Sequence, residues 1–184
     1  FNHGVFLALQ TLWAGPWMMT VLGKSQQQTS EILFMLNLAL MMAYLALGWA
    51  APRLAARGVD AHRLIAFGLA GMVLAQAAML FTQSEHAWIL WLLLAMCVPV
   101  TTLVQSHVAL AFPAALAGRA NSAYNLMLFV GAFATQWGFG VLADGLKANG
   151  LSAVDAFRAA LAIAVALQAA ALVYFVASRA QAHD

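Results

Sequence analysis

Six apolar runs, each close to the length a helix needs to cross a bilayer, follow one another along this chain and constrain its fold more than any other feature. A hydrocarbon core about 30 Å thick is spanned by about 20 helical residues. The runs cover 3–23, 32–51, 64–82, 88–112, 120–143 and 154–177. A lone strand at that depth would leave its backbone N–H and C=O groups without partners, so the pattern predicts an all-α, polytopic membrane protein with six spans in a single bundle. Charge is thin in the same way. Of 184 residues, 8% are charged and 65% hydrophobic, against roughly 25% and 45–50% in soluble domains. The connections (24–31, 52–63, 83–87, 113–119 and 144–153) are short and polar, and none is large enough to form an extramembrane domain.

Several functions are disfavoured at once. No basic patch of the kind nucleic acid requires is present. Cys97 is the only cysteine, so no internal disulfide forms. The membrane serines, Ser106 and Ser122, lack a serine-protease elbow, and Ser106 adjoins His107 on one helix, where neighbours diverge. Haem ligation would need paired histidines from different helices. His107 itself points away from the other polar residues of its span, toward an interfacial position. The chain therefore reads as neither an enzyme nor a holder of cofactor or metal.

Orientation follows from the basic residues. Arg53, Arg57 and Arg63 follow the second span, Arg119 follows the fourth, and Arg179 lies in the tail. The opposite side has only Lys24, Lys147 and Arg158. This imbalance predicts both termini in the cytoplasm, in a cell inner (plasma) membrane. Trp88 and Trp91 open the fourth span, where amphipathic rings favour the outer boundary. Phe1 opens the chain without Met or a basic leader, so the sequence reads as the C-terminal part of a longer protein.

Two further patterns bear on function. The first and fourth spans alone carry a proline well inside the apolar run, at Gly15-Pro16 and Val98-Pro99-Val100. Two sets of three helices would place these breaks in equivalent members of inverted repeats, a pointer to a transporter's binding site. Proline is also common in membrane helices generally. Second, uncharged polar and aromatic residues form stripes. At about 100° per residue, Gln10, Trp13 and Trp17 fall within about 60° on span one, as do Asn37 and Tyr44 on span two, and Asn121, Asn125 and Gln136 on span five. Thr101 and Gln105 are about 40° apart on span four. Spans three and six have only Gln76 and Gln168 and read as outer supports. Each stripe also has a packing reading, because Asn and Gln bridge neighbouring helices and Trp fills cores.

Gly48-Trp49-Ala50-Ala51-Pro52-Arg53-Leu54-Ala55-Ala56-Arg57-Gly58 resembles the degenerate copy of a cytoplasmic loop motif of the major facilitator superfamily, departing at Pro52, where the fuller form has an acid. Phe112-Pro113, Gly118-Arg119-Ala120-Asn121-Ser122 and the run from Gly138 to Asp144 are similar to the loop and eleventh helix of bacterial members. The resemblance extends over the whole chain. It implies the C-terminal six-helix half of a twelve-helix transporter, partnered by an N-terminal half and moving a small molecule by alternating access. Spans one, two, four and five would face the cavity. Arg53, Arg57 and Arg119 would lie on the cytoplasmic face, either closing it or only setting topology. No Asp, Glu, Lys or Arg lies in mid-membrane, so an ion-coupling group would belong to the other half. A stand-alone six-span structural or assembly protein is the alternative.

Overall fold

The computed structural model describes residues 1–82 and 84–180, with side chains through 178. Gln83, which opens the third expected connection, and the side chain of Arg179, counted among the cytoplasmic arginines, lie outside the described residues. All regular structure among the described residues is helical. Helix α1 covers 2–20 in three continuous pieces: Asn2–Ala8, a π turn at Leu9–Trp13, and Ala14–Thr20. Helix α2 spans Gln26–Ala56, α3 Ala61–Phe81 and α4 Ile89–Leu110, the last with a 3₁₀ turn at Val98–Val100. Helices α5 and α6 span Ala114–Ala148 and Ala153–Ala180. Five helices, α2 to α6, are long and apolar enough to cross a membrane. Span one, expected over 3–23, is instead the interrupted α1, which stops at Thr20.

Several helices overrun the apolar runs that announced them. Hydropathy marks the stretch suited to hydrocarbon, whereas a helix continues into the headgroup layer until something stops it. Helix α2 passes through Pro52, expected to lie in the connection, and ends before Gly58 at φ +76°. Helix α5, whose 35 residues extend about 52 Å, ends before Gly150 at φ +93°. Glycine adopts that left-handed conformation without steric cost. Starts are fixed as locally. Ser25 Oγ accepts from the Gln28 N–H while the Gln28 side chain accepts from the Ser25 N–H. Asp60 accepts from the His62 N–H at α3, and Ser152 Oγ from the Asp155 N–H at α6.

The two interrupted helices, α1 and α4, each cross between the two longest ones. Helix α1 packs on α5 through its first turns and on α2 after its break. Helix α4 packs on α2 before its break and on α5 after it. Pro16 and Pro99 account for the breaks, since proline offers no N–H and its ring crowds the carbonyl four residues back. The Thr101 and Thr102 hydroxyls donate to the Val98 and Pro99 carbonyls, each at 2.7 Å, at the 3₁₀ turn.

Helices α3 and α6 lie together, α3 also against α4, and α6 also against α5 and α1. They are not plain apolar supports. Gln76 and Gln168 are both 0% exposed and bond reciprocally across the seam, Gln76 Nε2 to Gln168 Oε1 at 3.1 Å and Gln168 Nε2 to Gln76 Oε1 at 2.8 Å. Each also donates to the carbonyl four residues back, on Met72 and Ala164. The opposite faces, with Phe67, Leu74 and Phe81 on α3 and Val173 and Tyr174 on α6, are exposed as a lipid-facing surface would be. At one end of this seam, Arg158 Nη2 donates to the Thr82 carbonyl at 2.9 Å and tethers the start of α6 to the end of α3. Trp91, expected as an interfacial anchor, is buried with its ring edge-on to Trp17 at 5.9 Å, because α1 closes over it.

Close helix approach depends on small residues. A Cβ on Gly4 of α1 would lie 2.7 Å from the Leu128 carbonyl oxygen and 2.9 Å from the Ala132 nitrogen of α5. Gly4→Ala should therefore force α1 away from α5 and cost about 1–3 kcal/mol. Gly48→Ala, with open space around it, should be neutral or stabilising. Thermal unfolding of the two variants in micelles checks the contrast. Gln76→Leu should cost about 1–2 kcal/mol by orphaning the Gln168 amide, and Gln76→Leu/Gln168→Leu should recover most of that loss. A double variant less stable than the single one would show that the pair is not the interaction responsible.

Candidate functional site

Three of the residues singled out from sequence meet on one face of the bundle, on three different helices. Gln10 Nε2 on α1 donates to Asn37 Oδ1 on α2 at 3.4 Å. On the other flank of α1, Gln136 Nε2 of α5 donates to Thr11 Oγ1 at 3.2 Å. The result is a belt of uncharged polar groups, Asn37, Gln10, Thr11 and Gln136, running across α2, α1 and α5. The π turn of α1 contains both Gln10 and Thr11. A π turn inserts an extra residue into the helical repeat and is frequent at functional sites. Here it lets consecutive side chains reach opposite neighbours.

The belt is open. Asn37 and Thr11 are exposed, Gln10 and Gln136 half-buried. Only 11% of the apolar window of α2 and 17% of that of α5 is buried, against 39% for α3 and for α4. Tyr44, further along α2, is 36% exposed. Asn125 is exposed on α5, and Asn121 is half-buried with an unpartnered Oδ1.

Other expected members lie elsewhere. Trp13 packs between Phe139 and Phe157, with ring centroids 4.8 and 5.6 Å away, and Trp17 is 1% exposed. Trp17 is a core residue, and Trp13 is half-buried and packed against the core. A uniform 100° spacing fails for them because Trp13 closes the π turn and Trp17 follows it, and such a turn shifts what comes after by roughly a quarter turn relative to an uninterrupted α-helix. Thr101 is buried and faces a different space, a cavity of about 270 Å³ bordered by α1, α3, α4, α5 and α6, together with Asn2, His3, Tyr124 and Tyr174. The third and sixth helices thus line part of a pocket that opens at the bundle surface, where Phe1 and Tyr174 are exposed. Gln105 is half-buried, four residues beyond Thr101 on α4. The four stripes therefore do not converge on one point: α1, α2 and α5 share the belt, while α4 turns Thr101 inward.

Among the arginines, Arg53 sits over the Trp49 ring at 3.9 Å and donates to the Trp49 carbonyl, while Arg57 and Arg119 are exposed. Thr11 was not singled out from sequence. A threonine whose hydroxyl bonds the carbonyl four residues back, as Thr11 does with Leu7 at 2.6 Å, leaves little mark on hydropathy. Among the described residues no group of three or more His, Cys, Asp or Glu side chains could hold a metal ion.

No protein-family model, curated protein or solved structure matched this chain.

If the belt borders water, single cysteines at Asn37 or Gln136, in a Cys97→Ala background, should react with a charged, membrane-impermeant thiol reagent in intact membranes. Cysteines at Phe67 or Leu74, on the exposed apolar face of α3, should stay unmodified. Equal protection at all four positions would mean that the belt is sealed from water.

Proposed function

We propose that this chain is one six-helix bundle of a secondary transporter, moving a small solute by alternating access along the face that carries the belt. The observation that carries the reading is the exposure of amide and hydroxyl groups on the bundle surface, well inside the apolar length of α2 and α5. In hydrocarbon such groups are costly and turn inward or toward water. A second bundle, enclosing a wet path between itself and α1, α2 and α5, would meet that requirement and cover the exposed apolar residues beside it.

Internal repetition supports the same reading. Exchanging α1 with α4, α2 with α5 and α3 with α6 turns most of the neighbour relations into one another. The crossing of α1 from α5 to α2 becomes the crossing of α4 from α2 to α5, and the α3–α6 seam maps onto itself. One relation departs from this: α5 runs along α6, while α2 makes at most passing contact with α3. Three-helix units related in this way have opposite directions in the membrane, as in inverted-repeat transporters with broken helices at the site. A major facilitator superfamily half, which the loop motifs resemble, would have its helices arranged in this way. On that reading the missing partner is an N-terminal six-helix half. The Arg-bearing ends of α2 and α3 would face the cytoplasm, with both termini on that side of an inner membrane.

The transport experiment compares uncharged polar residues at matched expression in the assembled protein. Gln136→Leu or Asn125→Leu should reduce uptake or efflux more than Gln76→Leu, whose site lies in the α3–α6 seam. The isolated chain in proteoliposomes should give no flux, because it supplies one wall of the path. Equal transport in all three variants, or robust flux from the chain alone, would refute the proposal.

A further inference from the structure

The internal hydrogen bonds of the belt fix which of its atoms are left for a ligand. A backbone carbonyl anchors each end, and a carbonyl can only accept. Asn37 must therefore turn its nitrogen to the Leu33 carbonyl, 2.7 Å away, leaving Oδ1 toward α1. Gln10 can bond that oxygen only through its own nitrogen. On the other flank the Thr11 hydroxyl spends its hydrogen on the Leu7 carbonyl at 2.6 Å, so its oxygen can only accept. Gln136 must then present its nitrogen to Thr11. The orientation of both glutamines, ordinarily ambiguous for an amide, is thus set by chemistry.

The groups left wholly unengaged are two carbonyl oxygens, Oε1 of Gln10 and Oε1 of Gln136, which receive no bond from any described residue. Each amide nitrogen keeps a second hydrogen, but its position is set by the bond already made. Neither oxygen is among the buried unpartnered atoms, so both remain accessible. Two amide oxygens, each with two lone pairs, are therefore left to accept from a ligand. No Lys or Arg lies in the mid-membrane part of α1, α2 or α5 to offset them.

We infer that this wall of the path selects solutes that donate hydrogen bonds, through hydroxyl or ammonium groups, and disfavours anions that only accept. The inference rests on the transport reading and adds to it the polarity of the ligand. An incoming O–H or N–H finds the Gln10 and Gln136 oxygens ready. A bare oxyanion meets them as like partial charges, and leaving either oxygen desolvated and unpaired is costly.

The test uses the purified chain in lipid nanodiscs, titrated with three small probes: myo-inositol as a neutral polyol, ethylammonium as a cation, and sulfate as an acceptor-only anion. Thermal stabilisation reads binding. Inositol, ethylammonium or both should stabilise the protein, and which of them does so identifies the source of the donor. Sulfate should not. Gln10→Leu or Gln136→Leu should each weaken the donor response roughly tenfold, as loss of one such hydrogen bond does. Thr11→Val should free the Gln136 amide to turn over and narrow the gap between the donor probes and sulfate. The inference is overturned if sulfate stabilises as well as the donors, if none of the three probes has an effect, or if the glutamine variants respond as the parent does. Donor selectivity lost while the assembled transporter still carries solute would count against this inference alone. Selectivity kept while no flux is measurable would count against the transport reading instead.

Discussion

Hydrocarbon offers a polar group nothing to bond with, and the rest of this structure follows from how each such group is satisfied or left open. Backbone groups are satisfied by helix formation. Beside Pro99, the Thr101 and Thr102 hydroxyls are satisfied by the carbonyls three residues back. Gln76 and Gln168, the two most deeply placed amides, satisfy one another and their own helices and are fully buried. Removing one partner would therefore cost more than removing both, since an orphaned amide carries the desolvation penalty alone.

The breaks in α1 and α4 have a packing cause as well as a covalent one. A straight helix can follow only one long neighbour at a fixed crossing angle, whereas each of these must serve two. Bending at the proline allows α1 to leave α5 for α2, and α4 to leave α2 for α5. Gly4 brings the first half of α1 within backbone distance of α5. The second half carries Trp17 onto Trp91. Tight contact at both ends leaves the irregular middle, with Gln10 and Thr11, as the part of α1 whose side chains are free to reach sideways.

Much of this was legible in the sequence, for reasons specific to the residues concerned. Apolar run lengths gave the number and order of the helices, because bilayer thickness imposes them directly. They could not place helix ends, which depend on Gly58, Gly150 and the caps at Ser25 and Asp60 rather than on hydropathy. Counting faces brought out Gln10, Asn37 and Gln136, since two of them lie on regular helix and Gln10 sits near the start of the π turn. The same counting failed for Trp17, on the far side of that turn. Nothing in a single sequence reveals that Gln76 bonds Gln168, 92 residues away. Spans three and six therefore looked featureless when they in fact hold the best-satisfied polar contact in the bundle.

The two amide systems also explain each other. Gln76 and Gln168 meet as equals, each giving and receiving, so the seam of α3 and α6 is closed and has nothing left to offer a ligand. Across α2, α1 and α5 the amides run one way, each nitrogen turned to an acceptor already present, so the chain of bonds ends with oxygens unspent. A reciprocal pair can be buried without cost to solubility in the membrane, whereas a one-way chain cannot be buried unless something arrives to complete it. The seam is closed on itself, and the belt is where the polar groups of the bundle stay open to a further contact.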